Sequence, residues 1–206
     1  MRLLVGTNNS NKFEEIKKLM PEKFELVSQA ELTIPSPEES GLTFVENAII
    51  KARHASNKSG LPTIADDSGL IVDSLGGKPG VFSSRFGGPD ATDTQNCKKL
   101  LKEMEGEKVR TACFHCVLVF VRNEVDPTPY IAQGKLKGEI LEKAVGKGGF
   151  GYDPIFYLPE QNKYMAFRIE ILAQNEDISF KDGRSIEIEH ILRGQGISAD
   201  VRIVDV

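Results

Sequence analysis

From residue 2 onward, short apolar runs of strand character alternate with stretches of helical period, and this alternation restricts the fold more than any other feature of the chain. Arg2–Val5 is the first strand-like run, and residues 13–20 are the first helical one. A second helix is predicted over 43–56 (TFVENAIIKARHAS), where Phe44, Ala48, Ala52 and Ala55 recur at helical intervals while Asn47 and Lys51 share another face. Residues 61–65 read as a strand leading to Asp66 and Asp67 near its end, and 70–72 continues it or pairs beside it. Beyond a glycine-rich turn at 76–80 come a helix over 94–104 and strands at Thr111–Val121 and 130–134. The crossovers call for parallel pairing and the hairpin signal at 126–129 for antiparallel pairing, so the expected fold class is α/β with a mixed sheet flanked by helices. A chain of 206 residues, 40% of them hydrophobic, fills the core of a single domain spanning 1–206, and no repeat or Pro/Ser-rich linker divides it.

A formal charge of -4 argues against nucleic acid or a membrane surface as partner, because both require a net basic face. No apolar run approaches the roughly 20 residues that cross a bilayer, and residues 1–6 lack the apolar stretch of a signal peptide, so a cytoplasmic protein is expected. Cys97, Cys113 and Cys116 are too few and too uneven for a disulfide framework. On a strand, the three-residue offset of Cys113 and Cys116 sends their sulfurs to opposite faces, which disfavours a zinc or redox pair. The histidines His54, His115 and His190 show no metal-binding spacing, GxSxG is absent, and Ser68 stands where a haloacid-dehalogenase-type phosphatase requires a second aspartate.

Three segments carry groups suited to a small polyphosphate. Thr7, Asn8, Asn9, Ser10, Asn11 and Lys12 (TNNSNK) place backbone amides, amide side chains and an ammonium at a helix N-terminus, where the dipole favours an anion; a plain N-cap is the alternative. Asp66 and Asp67 are adjacent on a strand and point to opposite sides, so one faces a cleft while the other orients a neighbour, or both are solvated turn acids. Glu38, Glu39 and Glu46 bring further carboxylates of the kind a hard cation such as Mg²⁺ requires, with Lys12 and Lys51 as balancing charges. Residues 148–154 (GGFGYDP) offer Phe150 or Tyr152 as a face for a base, unless they form a tight turn with core aromatics.

In order along the chain, TNNSNK, EESGLTFVENAIIKA, IADDSGL, LGGKPGVFSSRF, FHCVLVF and GGFGYDPIF together resemble the inosine triphosphate pyrophosphatase family. The resemblance implies an ITPase-like fold of the Maf/Ham1 type, with an elongated mixed sheet and a nucleotide cleft between two lobes. It also implies a homodimer and Mg²⁺-dependent hydrolysis of ITP, dITP and XTP to the monophosphate and pyrophosphate. Carried over by position, it makes Asp67 the general base and a metal ligand, and Glu38 a second ligand. Thr7, Asn8, Asn9, Ser10, Asn11 and Lys12, with Lys51 and Ser68, become the triphosphate contacts, and Phe150, Gly151, Tyr152 and Asp153 hold the nucleoside.

The likeness covers residues 1–166 and breaks over 167–206. Family members continue with a lysine and then Ser-His-Arg, whose His and Arg read the six-position oxygen of the purine. No Ser-His-Arg follows Phe167, and residues 199–206 alternate like a strand. A change of reading frame near Phe167 is one explanation, since codons can be written for residues 168–180 whose next frame spells the family spacing; sequencing the gene tests it. A tail recruited to pair with an exposed sheet edge is the other.

Overall fold

The computed structural model describes residues 1–20, 23–146 and 149–165. The tail from Phe167, with its strand-like end and the reading-frame question, lies outside the described residues. Within them run β1 (Arg2–Val5), α1 (Ser10–Leu19), β2 (Glu25–Ser28), α2 (Phe44–Ser59), β3 (Thr63–Val72), α3 (Asp93–Glu103), β4 (Thr111–Val121), β5 (Tyr130–Ile140), β6 (Phe156–Leu158) and β7 (Lys163–Tyr164). The strands form one sheet in the order β2-β1-β3-β4-β5-β6-β7. β1 pairs in parallel with β2 and with β3, while β6 is antiparallel to β5 and to β7, so the sheet is mixed as expected.

The chain divides into two compact units, and the division falls within β3, β4 and β5. The first comprises Met1–Asp67 and Cys116–Gly134; the second comprises Ser68–His115 and the described residues from 135 on.

In the first unit β1 is buried on both faces, as a parallel strand inside a sheet must be. Leu3 and Val5 pack with Ile16 and Met20 of α1, Ile64 of β3 and Leu118 and Phe120 of β4. Leu4, on the other face, packs with Ile34 and with Ala55 of α2. The apolar stripe read for α2 is the buried one, because Phe44, Ala48, Ala52 and Ala55 are all sequestered. A reciprocal capping box starts the helix: Thr43 Oγ1 accepts from Glu46 N, and the Glu46 carboxylate accepts from Thr43 N. The β4–β5 connection is tied by Asp126, whose fully buried carboxylate accepts from Arg122 N, Nε and Nη2 and from Thr128 N.

The second unit has its own core, in which Leu70, Val72, Leu100, Met104, Leu136, Ile140, Tyr152, Ile155 and Phe156 pack together. Among the described residues no helix is long and apolar enough to cross a membrane.

Candidate active site

Strand alternation determines where the acidic pair goes. Ile64 faces the α1 side of the sheet, so Asp66, two residues on, faces it too; Ala65 lies toward Ala55 of α2, and Asp67 follows it. Each acid then meets a lysine from the helix on its own side. Lys12 Nζ donates to Asp66 Oδ2 at 2.6 Å, and Lys51 Nζ donates to Asp67 Oδ1 at 2.6 Å. Both carboxylates are nearly sealed, Asp66 at 5% and Asp67 at 6% exposure. The sequence placed them near a strand end, whereas they lie inside the ten-residue β3, which continues through Ser68 and Gly69 to Val72.

Lys51 also lies 2.9 Å from Glu39 Oε1. The family resemblance gives Glu38 as the second ligand; in the structure Glu38 is exposed, and Glu39 is the half-buried member of the pair that meets Lys51. Glu46 is spent on the α2 cap. The segment carrying Glu39 is fastened to α2, since Gly41 N donates to the buried Asn47 Oδ1 at 2.8 Å and Leu42 N donates to Glu46 at 2.8 Å. A side chain at Gly41 would come within 2.6 Å of Asn47 Oδ1 and of Glu46 Cβ, so a glycine is needed for this close approach.

Among the described residues the cluster thus brings the Lys12 and Lys51 ammonium groups against the carboxylates of Asp66, Asp67 and Glu39. Burial works to lower both lysine pKa values, but the facing carboxylates outweigh it and hold Lys12 and Lys51 firmly charged, above their ordinary value. The Asp67 carboxyl is pushed above the usual aspartate range, chiefly by burial and further by Glu39 and Asp66, with Lys51 opposing. Among the described residues Asp67 Oδ2 is buried without a hydrogen-bond partner. An orphaned carboxylate oxygen costs free energy unless another electropositive group meets it.

No group of three or more His, Cys, Asp or Glu among the described residues forms a ready-made metal cage. Mg²⁺ is ordinarily held by one or two carboxylates together with water and substrate phosphates, and Asp67 Oδ2 with Glu39, which shares the Lys51 ammonium with Asp67, provides that number of ligands. The residues present fit such an ion. The three free cysteines do not, and burial pushes the Cys97 thiol up to about 12, where it stays protonated.

The 7–12 segment is shorter as a loop than the sequence suggested, because α1 begins at Ser10. Asn9 is the N-cap, its Oδ1 accepting from Asn11 N and Lys12 N, and Thr7 Oγ1 accepts from Asn9 N. Asn8 Nδ2 donates to Ser36 Oγ at 2.9 Å, and Ser10 and Asn11 are exposed. The N-cap alternative is thus realised in the geometry, with Lys12 turned to Asp66. Ser68 is half-buried directly after Asp67.

Phe150, Gly151, Tyr152 and Asp153 belong to the second unit and form a turn of closely used backbone. Tyr152 is 4% exposed, packs in the core, and donates its hydroxyl to Ser83 O at 2.8 Å, so its ring is not available to a base. Half-buried Phe150 is the remaining aromatic face. Asp153 is buried and its Oδ2 accepts from Phe150 N at 3.0 Å.

The chain matches the family model described as the Ham1 family over residues 3–179. A dITP/XTP pyrophosphatase of Photobacterium profundum is 53% identical over 162 residues, covering 77% of this chain and 82% of that protein. The dITP/XTP pyrophosphatase of Escherichia coli O157:H7 is 49% identical over 168 residues, covering 80% and 85%. Among solved structures, a HAM1 protein from Coxiella burnetii superposes with a TM-score of 0.77 at 46% identity, over 81% of this chain and 86% of that one. With this sheet, this acid and lysine cluster and these relatives, the chain belongs to the Ham1 family.

Proposed function

We propose that this protein is a divalent-metal-dependent hydrolase that cleaves ITP, dITP and XTP to the monophosphate and pyrophosphate. The names of its relatives support the reaction class. The observation that carries the assignment is Asp67, which has one oxygen paired to Lys51, the other without a partner among the described residues, and Glu39 on the same ammonium.

In this reading Asp67 takes a proton from a water molecule, and that water attacks the α-phosphorus as pyrophosphate departs in line. Lys51 holds the Asp67 carboxylate in place, and Lys12, fixed by Asp66, presents positive charge beside it. Thr7 to Asn11 and Ser68 contribute donors toward the phosphates, and the Phe150 ring receives the purine. Mg²⁺, held by Asp67 and Glu39 when bound, would supply charge neutralisation at the phosphate oxygens. Preference over adenine nucleotides rests on donors to a six-position oxygen, which the adenine amino group cannot satisfy. On the same family resemblance the protein acts as a cytoplasmic homodimer.

A second reading follows from residues 167–206, which carry no Ser-His-Arg. It is a nucleotide-binding dimer of the same fold with impaired turnover or base selectivity. Pyrophosphate release from ITP, dITP, XTP, ATP and GTP with Mg²⁺ separates the two. Release from the first three supports the hydrolase, and release from none of the five leaves only the binding protein.

A further inference from the structure

Every polar backbone group of Gly151 is engaged by a side chain of α3. Its N–H donates to Asp93 Oδ2 at 2.7 Å, and its carbonyl accepts from the Cys97 thiol at 3.3 Å. Asp93 and Cys97 lie four residues apart, so they stand on one helix face and grip a single residue's backbone from both ends. Either side of that residue is also fixed, because Phe150 N donates to Asp153 and the Tyr152 hydroxyl donates to Ser83 O. Gly149 and Gly151 adopt φ of +78° and +58°, so the turn occupies a backbone region that other residues reach only under strain. Buried Cys97 stays a thiol, its pKa pushed up to about 12, and remains a hydrogen-bond donor rather than a nucleophile.

We propose that Asp93 and Cys97 are positioning residues that clamp the Gly151 backbone and thereby fix the adjoining Phe150 ring for the nucleoside. The proposal rests on the reading of this turn as the nucleoside holder. A preformed turn avoids the ordering cost that a loose one would incur on binding, so releasing the clamp weakens only that part of the ligand that touches the turn. Asp93 has a second role, as an acid in the first turn of α3, where it complements the helix dipole. The two roles separate chemically. Asp93→Ala removes both the charge and the acceptor, whereas Asp93→Asn removes the charge and keeps an oxygen for Gly151 N–H.

The test is titration calorimetry of the full-length protein with inosine monophosphate and with inorganic pyrophosphate, each in Mg²⁺, together with thermal melts. Asp93→Ala is expected to weaken inosine monophosphate binding about tenfold, the scale of one charge-assisted hydrogen bond, and to leave pyrophosphate binding unchanged. Asp93→Asn should restore the nucleotide affinity to within about twofold, and Cys97→Ala should give a smaller loss than Asp93→Ala. Equal nucleotide affinities for Asp93→Ala and wild type, or equal losses for Asp93→Ala and Asp93→Asn, would overturn the clamp while leaving the nucleoside reading standing. A wild-type protein that binds pyrophosphate but not inosine monophosphate would overturn that reading, and the clamp with it.

Discussion

The first unit holds its candidate chemistry with charges, and the second holds its candidate chemistry with backbone. Around β3, Lys12 and Lys51 meet Asp66, Asp67 and Glu39, and the geometry depends on 2.6 Å contacts between ammonium and carboxylate. At 149–153 the turn is fixed by hydrogen bonds to peptide groups and by two left-handed glycines. An ion-paired cluster is sensitive to the loss of a cation that two carboxylates share and to pH, because an unpaired buried charge is expensive. A backbone-locked turn is far less sensitive to charge and responds instead to the volume of one methyl group.

The largest effect expected from breaking this comparison is on the charge side. Lys51→Met leaves Asp67 and Glu39 without their shared cation and should destabilise the protein by about 3–5 kcal/mol in urea unfolding. Added Mg²⁺ should recover more of that loss than it adds to the wild type. A variant as stable as wild type without metal would show that the cluster is not held by charge.

On the backbone side Gly149→Ala is the sharper change. Its Cβ would lie 2.4 Å from Asp153 Oδ2 on a residue at φ +78°, whereas Gly151→Ala, at φ +58°, meets open space. Strain alone costs about 1–2 kcal/mol at either site, and the clash adds to it only at Gly149. Urea melts should rank the variants in that order, and equal losses would remove the steric part of the account.

The smallest effect is a displacement of a pH profile. Asp67 must be ionised to hold Mg²⁺ and to act as a base, so the Mg²⁺ affinity of the metal-free protein should fall along an acid limb as pH drops through the Asp67 pKa, which burial holds above the ordinary aspartate range. Because Glu39 raises the Asp67 pKa, Glu39→Gln should move that limb to lower pH even as the affinity for Mg²⁺ falls. A limb that stays in place would separate Glu39 from Asp67. Stability follows the opposite sign: a carboxyl with a raised folded pKa favours the native state most below its unfolded pKa, and that contribution is lost as pH rises through the folded value.

Much of this was legible in the sequence where periodicity speaks. The α2 stripe of Phe44, Ala48, Ala52 and Ala55 and the opposed faces of Asp66 and Asp67 follow from periods of 3.6 and 2, and the structure has both. Periodicity is silent over irregular backbone, and the differences arose there. Glu38 and Glu39 sit in a segment with no repeating face, which Gly41 ties to Asn47 and from which Glu39 meets Lys51. Likewise nothing local distinguishes Phe150 from Tyr152. The Ser83 carbonyl, 69 residues away in sequence, draws Tyr152 into the core. The roles of Asp93 and Cys97 are silent in the sequence for the same reason: their partner is a peptide group, which carries no residue-type signal.

The most direct test of the central claim is pyrophosphate release from ITP by wild type and Asp67→Asn, with thermal melts of both. The amide keeps the shape and a contact for Lys51 but removes the base and one carboxylate charge. It also removes a carboxyl that burial disfavours as an ion. The expected result is a loss of about a thousandfold or more in kcat, with a melting temperature near that of wild type. A folded Asp67→Asn protein that hydrolyses ITP at close to the wild-type rate would contradict Asp67 as the base.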